Sequence, residues 1–194
     1  MRTTDASKVI FLTLALTASV LAEGPTAQLL SYSCSGCHGT NGSSVGLSNP
    51  HIAGMHREYF IESMQDYQLD RRDSTIMNRL AKGFTDEQIK SMALFFEKQP
   101  LRLMPQAYDP DKAKWGAELH RKYCEKCHED GGRTAADTGT LAGQWELYLR
   151  YTMDDYLSGD REMVKKMRVK VERMQREQGE DAVDALIHHY ISFR

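Results

Sequence analysis

The sequence has 194 residues, a formal net charge of −2 and 41% hydrophobic residues, a size that suits one large domain or two small ones. Its charged residues are mixed in sign, which excludes a strongly basic nucleic-acid-binding protein and a disordered acidic tail. The cysteines are the most informative residues, because all four lie in two short clusters of matching sequence.

The first 22 residues have the pattern of a secretion signal. Arg2 and Lys8 supply a positive start, and an uncharged, mostly apolar run of 14 residues follows from residue 9 to residue 22. An α-helix needs roughly 20 residues to cross a bilayer. We therefore expect cleavage between Ala22 and Glu23, rather than an uncleaved anchor, and a mature protein with no membrane span.

The rest of the chain is predicted to be a duplication of one unit. Four landmarks recur in the same order, each 89 or 90 positions later. They are CSGCH at 34–38 with CEKCH at 124–128, IAG at 52–54 with LAG at 141–143, Met64, Asp66 and Tyr67 with Met153, Asp155 and Tyr156, and Met77 with Met167. Matches kept in order and register are not expected by chance, so the sequence predicts two domains of one fold.

Prolines mark the boundary between the two units. Pro100, Pro105 and Pro110 are three of the five prolines in the chain. Because proline lacks a backbone donor and disfavours helix in the residue before it, this segment predicts a stiff, extended linker. The predicted organisation is a signal peptide at 1–22, a first domain at 23–99, a linker at 100–111 and a second domain at 112–194.

The pattern inside each unit is helical. Pro25 suits the start of a helix that leads into the first cysteine cluster. Thr85 and Gln88 form a capping-box signature at the start of another helix. Apolar residues at helical spacing follow or precede these signals, at Ile89, Met92, Ala93 and Phe96, at Trp115, Leu119 and Tyr123, and at Val183, Leu186, Ile187 and Tyr190. No stretch alternates with a period of two, so the sequence predicts an all-α fold.

Each cysteine cluster has the form Cys-x-x-Cys-His. Two thiols three positions apart can reach the two vinyl groups of one haem, and the adjacent histidine then meets the iron. The candidate residues are Cys34, Cys37, Cys124 and Cys127 for covalent attachment of two haem c groups, with His38 and His128 as proximal ligands.

Three other interpretations of the cysteines stay open: a zinc site, redox-active dithiols and structural disulfides. A four-thiolate zinc site needs no histidine after each pair, thioredoxin-like chemistry expects a strand-rich setting, and structural disulfides usually join distant segments. Two identical clusters in a duplicated helical chain favour haem. Each unit also has only about 85 residues, a size at which many domains need a cofactor or a cross-link for stability.

Methionine opposite histidine gives six-coordinate iron with a raised reduction potential. Met77 and Met167 each lie 43 positions after the first cysteine of their own cluster, which makes them the predicted sixth ligands. Met163 is the reserve for the second haem, because a methionine at helical spacing can also belong to the core. Five histidines, none of which recurs at the repeat spacing, are further candidates: His51, His56, His120, His188 and His189.

The proximal histidines need an acceptor for their second ring nitrogen. The carbonyl of Pro50, 12 positions after His38, is the predicted acceptor in the first unit. Gly139 or Thr140 stands at the corresponding place in the second unit, on a less rigid backbone. This difference predicts unequal reduction potentials for the two haems.

From Glu23 onwards the chain resembles the dihaem cytochrome subunit of flavocytochrome c sulfide dehydrogenase, which is related to two-domain dihaem cytochromes c. The segments that carry the resemblance are PTA at 25–27, CSGCHGTNGSSVG at 34–46, STIMNRLAKGF at 74–84, KYCEKCHEDGG at 122–132, LAGQWELYL at 141–149 and MVKKM at 163–167. The resemblance implies two tandem class I cytochrome c-like domains, each wrapped around one covalent haem. It also implies axial ligation of the irons by His38 with Met77 and by His128 with Met167.

The resemblance further implies a periplasmic electron-transfer subunit that is not an enzyme by itself. Such a subunit accepts electrons from a separate FAD-containing flavoprotein that oxidises sulfide, and it passes them to a soluble cytochrome. The sequence has no glycine-rich dinucleotide fingerprint, so FAD is expected only on the partner. The alternative is a free-standing dihaem cytochrome that shuttles electrons to a terminal oxidase. The charges from Arg161 to Arg176 suit either a solvated helix or a docking surface for a soluble cytochrome.

Overall fold

The structure is a computed structural model that describes residues 25–134 and 138–194. The predicted signal peptide at 1–22 lies outside these residues. Within these residues the chain forms ten α-helices, one 3-10 turn and one π-helical turn. The β-structure in this part of the chain is limited to two isolated bridges. In this part of the chain no helix has the length and apolar character needed to cross a membrane.

The helices form two sets of five, one in each half of the chain. The first set is α1 (Ala27–Tyr32), α2 (Ser35–His38), α3 (Arg57–Gln68), α4 (Met77–Ala81) and α5 (Asp86–Glu97). The second set is α6 (Pro110–Leu119), α7 (Glu129–Gly132), α8 (Glu146–Ser158), α9 (Lys165–Gln178) and α10 (Asp181–Ile191). A 3-10 turn at Thr40–Gly42 follows α2, and a π-helical turn at His120–Cys124 follows α6. The prediction of an all-α fold is confirmed.

Local sequence signals account for the starts of several helices. The capping box at α5 is confirmed, since the Thr85 hydroxyl accepts the Gln88 N–H at 3.3 Å and the Gln88 side chain accepts the Thr85 N–H at 2.9 Å. The α6 helix begins at Pro110, inside the predicted linker, because the fixed φ and missing N–H of proline suit the first helical turn. The limits proposed for the two domains stay a prediction, and only residues 100–109 of the linker are extended or irregular.

Equivalent backbone hydrogen bonds recur in both halves and show the duplication in three dimensions. The Gly42 carbonyl accepts N–H groups from Ile52 at 2.8 Å and Ala53 at 3.0 Å, and the Gly132 carbonyl accepts those of Leu141 at 2.9 Å and Ala142 at 3.0 Å. Likewise the Gly54 N–H donates to Phe96 at 2.8 Å, and the Gly143 N–H donates to Tyr190 at 2.7 Å. Gly42 and Gly132 have φ values of +87° and +90°, which glycine adopts without strain.

Each half has its own hydrophobic core. The first core consists of Ile52, Met55, Phe60, Met64, Ala81, Ile89, Met92, Ala93 and Phe96. The second core consists of Leu119, Tyr123, Leu149, Met174, Ala182, Ala185, Leu186, Ile187, Tyr190 and Ile191. In the second half α6 and α10 pack very closely, because a Cβ atom at Gly116 would collide with the carbonyl of Ala185.

A buried polar seam joins the two halves. The His51 N–H donates to Oε1 of Gln144 at 2.9 Å, and Nε2 of Gln144 donates back to the His51 carbonyl at 2.9 Å. Trp145 donates from its indole N–H to the Ser44 carbonyl at 3.2 Å and stacks on the His51 ring, with 5.7 Å between the ring centroids. The linker is tied to this seam, since Gln106 donates to the Gln144 carbonyl at 2.9 Å.

We expect Gln144→Ala to lower the free energy of unfolding by about 3 kcal/mol, because two buried backbone groups of His51 lose their partner. Denaturant unfolding followed by circular dichroism measures the change. Gln28→Ala, on the exposed side of α1, is the matched control and should change stability by less than about 0.5 kcal/mol. Equal losses in the two variants would show that the seam contributes nothing specific.

We also expect stability to fall as the pH is lowered from about 6.5 to about 4. Burial, with a smaller contribution from His38, lowers the pKa of His51 to about 4, and burial together with His120 does the same to His189. The unfolded chain therefore binds more protons in this window, and protonation favours unfolding. His51→Gln should flatten the pH dependence, whereas His56→Gln, at a half-buried surface position, should leave it as in the wild type. A wild-type unfolding energy that is constant across the window would contradict this expectation.

Candidate haem-attachment sites

The first cysteine cluster lies on a single helical turn. Cys34 caps α2, and its carbonyl accepts the N–H of His38 at 2.9 Å and the N–H of Cys37 at 3.3 Å. These bonds bring two sulfurs and one imidazole together within one turn. Burial raises the pKa of the Cys34 thiol, whereas Cys37 is exposed. The turn can present both thiols and the histidine to one haem edge.

The second cluster repeats this geometry. The Cys124 carbonyl accepts the N–H of His128 at 3.0 Å and the N–H of Cys127 at 3.1 Å. Burial raises the pKa of the Cys124 thiol to about 11. Unlike the first cluster, the second follows a π-helical turn, which extends from His120 to Cys124. In this turn the Glu125 N–H donates to the His120 carbonyl at 2.9 Å. Leu30 and Leu119 contact the cores of their own halves and lie 89 positions apart, whereas the first cysteines of the two clusters lie 90 apart. The π-helical turn, whose hydrogen bond spans one more residue than that of an α-helix, accommodates this additional residue.

The structure argues against two of the other interpretations of the cysteines. All four thiols are free, so they form no disulfide. Over residues 25–134 and 138–194 the two pairs do not converge on a common metal-binding group, as a four-thiolate zinc site would require. A separate surface group of three possible ligands comprises His56, Glu58 and Glu97, whose carboxylates are also paired with Arg57.

The orientation of His38 is as the sequence predicted. Its Nδ1 lies 2.9 Å from the Pro50 carbonyl, an acceptor that places the proton on Nδ1 and leaves Nε2 available for iron. Burial lowers the pKa of His38, and the bond to Pro50 offsets part of this effect. In the second half the sequence suggested a carbonyl from Gly139 or Thr140. The structure adds a contact that was not predicted, between Nδ1 of His128 and the Thr138 hydroxyl at 3.2 Å.

The two predicted methionine ligands occupy similar positions. Met77 is the first residue of α4, Met167 lies in the first turn of α9, and both side chains are half-buried. Met163 differs because it precedes α9 and is only 4% exposed. The similar placement of Met77 and Met167 supports the original choice of ligands, which stays a prediction. Histidines considered as alternatives have other partners, for example His51 with the Ser44 N–H and His188 with the Asp109 N–H.

Two arginines that the sequence analysis missed meet where the halves touch. Arg72 donates to the Tyr148 hydroxyl at 3.3 Å, and Arg161 donates to the Tyr59 hydroxyl at 3.3 Å, so each arginine reaches into the other half. The backbones of Arg72 and Arg161 also form an isolated antiparallel bridge. Both the arginines and the tyrosines recur at a spacing of 89, so the contact has approximate twofold symmetry.

This crossed pair carries buried positive charge. Arg72 is only 7% exposed, and its guanidinium lies over the ring of Tyr67, as that of Arg161 lies over the ring of Tyr156. Among the residues that the structure describes, no carboxylate lies within ion-pair distance of either arginine. Arginine stays charged in proteins, and a buried charge without a counter-ion is strongly unfavourable.

The pKa of Tyr59 also reflects the positive charge of the two arginines. Burial alone would raise the pKa of Tyr59, but the charges of Arg72 and Arg161 hold it below its usual value. A carboxylate would relieve the field, and the propionates of haem are carboxylates. The arginine pair therefore fits a haem better than it fits an empty interface. The repeat of tyrosine and arginine at one spacing was visible in the sequence, but which half each side chain contacts was not.

Comparison with known proteins gives relatives of one kind, although no protein-family profile matches the chain. The cytochrome subunit of sulfide dehydrogenase from Chlorobaculum tepidum is 44% identical over 69 residues, which is 36% of this chain and 62% of that protein. Cytochrome c4 from Thiocapsa roseopersicina is 29% identical over 134 residues, covering 63% of this chain and 68% of that protein.

Solved structures agree on the fold. Reduced recombinant cytochrome c4 from Pseudomonas stutzeri superposes with a TM-score of 0.75 at 22% identity, over 89% of this chain and 100% of that one. The helical topology, the duplicated core and the two Cys-x-x-Cys-His turns match this architecture. The chain is thus similar to cytochrome c4 and to the cytochrome subunit of sulfide dehydrogenase, and it has the fold of two class I cytochrome c domains with an attachment turn for one covalent haem c group in each.

Proposed function

We propose that this chain is the electron-transfer subunit of a periplasmic complex. It accepts electrons from an FAD-containing flavoprotein that oxidises sulfide, and it passes them to a soluble cytochrome. The observation that carries the proposal is the pair of equivalent Cys-x-x-Cys-His turns, each with a half-buried methionine at the start of a later helix. The choice of sulfide as the upstream reductant rests on the 44% identity to the sulfide dehydrogenase cytochrome subunit over 69 residues.

Each half supplies a full set of groups for one haem. Cys34 and Cys37 would attach the first haem, and His38 with Met77 would hold its iron. In the second half the corresponding residues are Cys124 and Cys127 for attachment, with His128 and Met167 as ligands. The haem supplies a one-electron couple between ferric and ferrous iron. If these side chains hold both irons, no open position is left for a substrate, so the proposed role is electron transfer and the chain would not be an enzyme by itself.

Surrounding residues set the properties of each site. The Pro50 carbonyl and the Thr138 hydroxyl orient the proximal imidazoles through Nδ1. Because a carbonyl on a rigid backbone and a hydroxyl differ as acceptors, we expect the two haems to have different reduction potentials. Arg72 and Arg161 would hold propionates at the contact between the halves, where the described residues offer their positive charge no carboxylate.

A free-standing dihaem cytochrome that serves a terminal oxidase is the second candidate. Two observations support it: the 29% identity to a cytochrome c4 over 134 residues, and the superposition that covers 100% of the Pseudomonas stutzeri cytochrome c4 chain. The two candidates share the haem sites and differ only in their partners. Partner identity therefore decides between them.

Affinity purification of the tagged chain from its own host tests the proposal. Haem staining of a denaturing gel and flavin fluorescence of the eluate are the measurements. A red chain that elutes with a stoichiometric flavoprotein and is reduced by sulfide supports the flavocytochrome. A red, flavin-free chain that is oxidised by membranes supports the second candidate, and a chain without covalent haem rejects both.

We expect Met167→Leu to open the sixth position of the second haem. The ferrous protein should then bind carbon monoxide at one haem per chain, which an absorption titration measures. Met163→Leu changes a buried side chain of the same type a few residues away and should leave both irons closed. If Met163→Leu binds carbon monoxide and Met167→Leu does not, the reserve ligand is the correct one.

We expect Arg72→Gln and Arg161→Gln to lower the reduction potentials, because a nearby positive charge favours ferrous over ferric iron. The shift should be tens of millivolts, roughly a tenfold change in the electron-transfer equilibrium. Spectroelectrochemical titration measures it. Arg71→Gln is the matched control, since Arg71 is exposed and paired with Asp66 at 2.7 Å. Potentials that move equally in the control would show that the crossed pair has no special role.

A further inference from the structure

The second half contains a buried hydrogen-bonded triad that the haem ligation does not use. We propose that Glu125, His120 and Tyr190 form a redox-linked proton site, which makes the reduction potential of the second haem depend on pH while that of the first haem does not. The inference deepens the proposed function and rests on a haem attached at Cys124 and Cys127. It assigns to three residues a role that the electron-transfer chemistry alone does not need.

The triad runs from solvent to the attachment site. Nε2 of His120 lies 2.6 Å from Oε2 of Glu125, and its Nδ1 lies 2.9 Å from the Tyr190 hydroxyl. Tyr190 belongs to the core cluster against which Cys124, one of the two haem-attachment residues, packs. The Glu125 side chain is 42% exposed, whereas His120 is 2% and Tyr190 5% exposed. Water therefore reaches one end of the triad and the haem site lies at the other.

The hydrogen bonds determine where the protons sit. A carboxylate accepts hydrogen bonds only, so the bond to Glu125 places a proton on Nε2 of His120. In the neutral imidazole Nδ1 then accepts the hydroxyl proton of Tyr190. In the proposed step Nδ1 gains the additional proton. The hydrogen bond then reverses: Nδ1–H donates to the Tyr190 hydroxyl oxygen, and the hydroxyl proton rotates away from His120. Tyr190 stays protonated throughout, because burial raises its pKa well above the usual value.

Glu125 is held in the ionised form that the triad needs. It accepts the backbone N–H of Asp130 at 2.9 Å and that of Gly131 at 3.2 Å. Asp130 and Gly131 have φ values of +52° and +67°, and this left-handed turn points both N–H groups at one carboxylate. Although burial alone would raise the pKa of Glu125, these bonds and the one from His120 hold it below the usual range.

The π-helical turn places the triad. In this turn, which extends from His120 to Cys124, the Glu125 N–H donates to the His120 carbonyl at 2.9 Å. The wider turn brings His120 next to both Glu125 and Tyr190. An α-helical turn would rotate His120 relative to Glu125 and so change these contacts. Such turns are rare and occur frequently at functional sites.

The first half has no comparable group. The matched backbone bonds from Gly54 to Phe96 and from Gly143 to Tyr190 show that Phe96 occupies the place of Tyr190, and Phe95 that of His189. The α1 helix, with the sequence AQLLSY, contains no histidine. These positions of the first half therefore carry hydrocarbon side chains where the second half has a hydrogen-bonded network.

Other ionisable groups lie near the triad. His189 packs on the His120 ring at 5.4 Å between centroids, and burial, with His120, lowers the pKa of His189 to about 4. The positive charge of Arg133 contributes to lowering the pKa of His189. The positive charge of Lys170 offsets part of the rise that burial causes in the pKa of Cys124. Imidazole is the side chain that ordinarily changes charge between about pH 5 and pH 8. His120 is the imidazole that this network holds between a carboxylate and a hydroxyl.

The coupled step balances in charge and protons. One electron from the upstream donor reduces ferric to ferrous iron, and one proton from solvent converts neutral His120 to imidazolium. Reduction removes a positive charge near the triad and so favours protonation. By linkage, loss of the proton at higher pH favours ferric iron and lowers the potential.

Spectroelectrochemical titration of the dihaem protein from pH 5 to pH 8 tests this. We expect one potential to fall as the pH rises, by up to about 59 mV for each tenfold change in proton concentration, and the other to stay constant. Met167→His identifies the potential of the second haem, because it replaces the predicted ligand there. His120→Gln should abolish the pH dependence of this potential. A second-haem potential that is constant with pH in the wild type, or that keeps its slope in His120→Gln, overturns the proposal.

Two further variants keep the test decisive if His120→Gln does not fold. Tyr190→Phe introduces the residue that the first half has, and Glu125→Gln retains an acceptor for the two loop N–H groups. Both should move the pH-dependent window to lower pH, because imidazolium loses a partner. His188→Gln, on the same helix and bonded to the linker, is the control and should keep the wild-type slope. A protein without haem rejects the proposed function, whereas a red protein with constant potentials rejects the triad alone.

Discussion

The hydrogen bond from a histidine N–H to the carbonyl of the first cysteine, 2.9 Å in one half and 3.0 Å in the other, is the constraint on which the rest of this molecule depends. It closes one turn of chain so that two thiols and an imidazole can serve one macrocycle. Every other element places something around that turn. The carbonyl of Pro50 and the hydroxyl of Thr138 orient the imidazoles, and later helices carry the candidate methionines.

The two halves are joined by polar groups rather than by a shared hydrophobic core. The His51–Gln144 pair satisfies backbone groups on both sides, and the crossed arginines place two positive charges between the halves. Unpaired guanidinium groups oppose docking, whereas guanidinium groups paired with haem carboxylates favour it. Pairing of haem carboxylates with these arginines would therefore make haem attachment favour the docking of the two halves.

Duplication produced two equal scaffolds, and substitution made them unequal. Phe95 and Phe96 pack in the first half where His189 and Tyr190 stand in the second, and a π-helical turn accompanies the change. The polar residues of the second half are accommodated because they are hydrogen-bonded. His120 pairs with Glu125, and Glu125 accepts the N–H of Asp130 in a left-handed turn. The two attachment turns therefore have unequal surroundings within one repeated architecture.

The sequence by itself determined the features that depend on residues close together in the chain: the two attachment turns, the capping box at Thr85, the acceptor role of Pro50 and the duplicated helical fold. It did not separate the linker from the start of α6 at Pro110, because the same proline suits a linker and a first helical turn. Only the tertiary structure decided that Arg72 reaches Tyr148 and that His51 meets Gln144, contacts between residues 76 and 93 positions apart. Those contacts depend on the angle at which two separately folded cores dock, and that angle follows from the shape and charge of whole surfaces rather than from any local pattern.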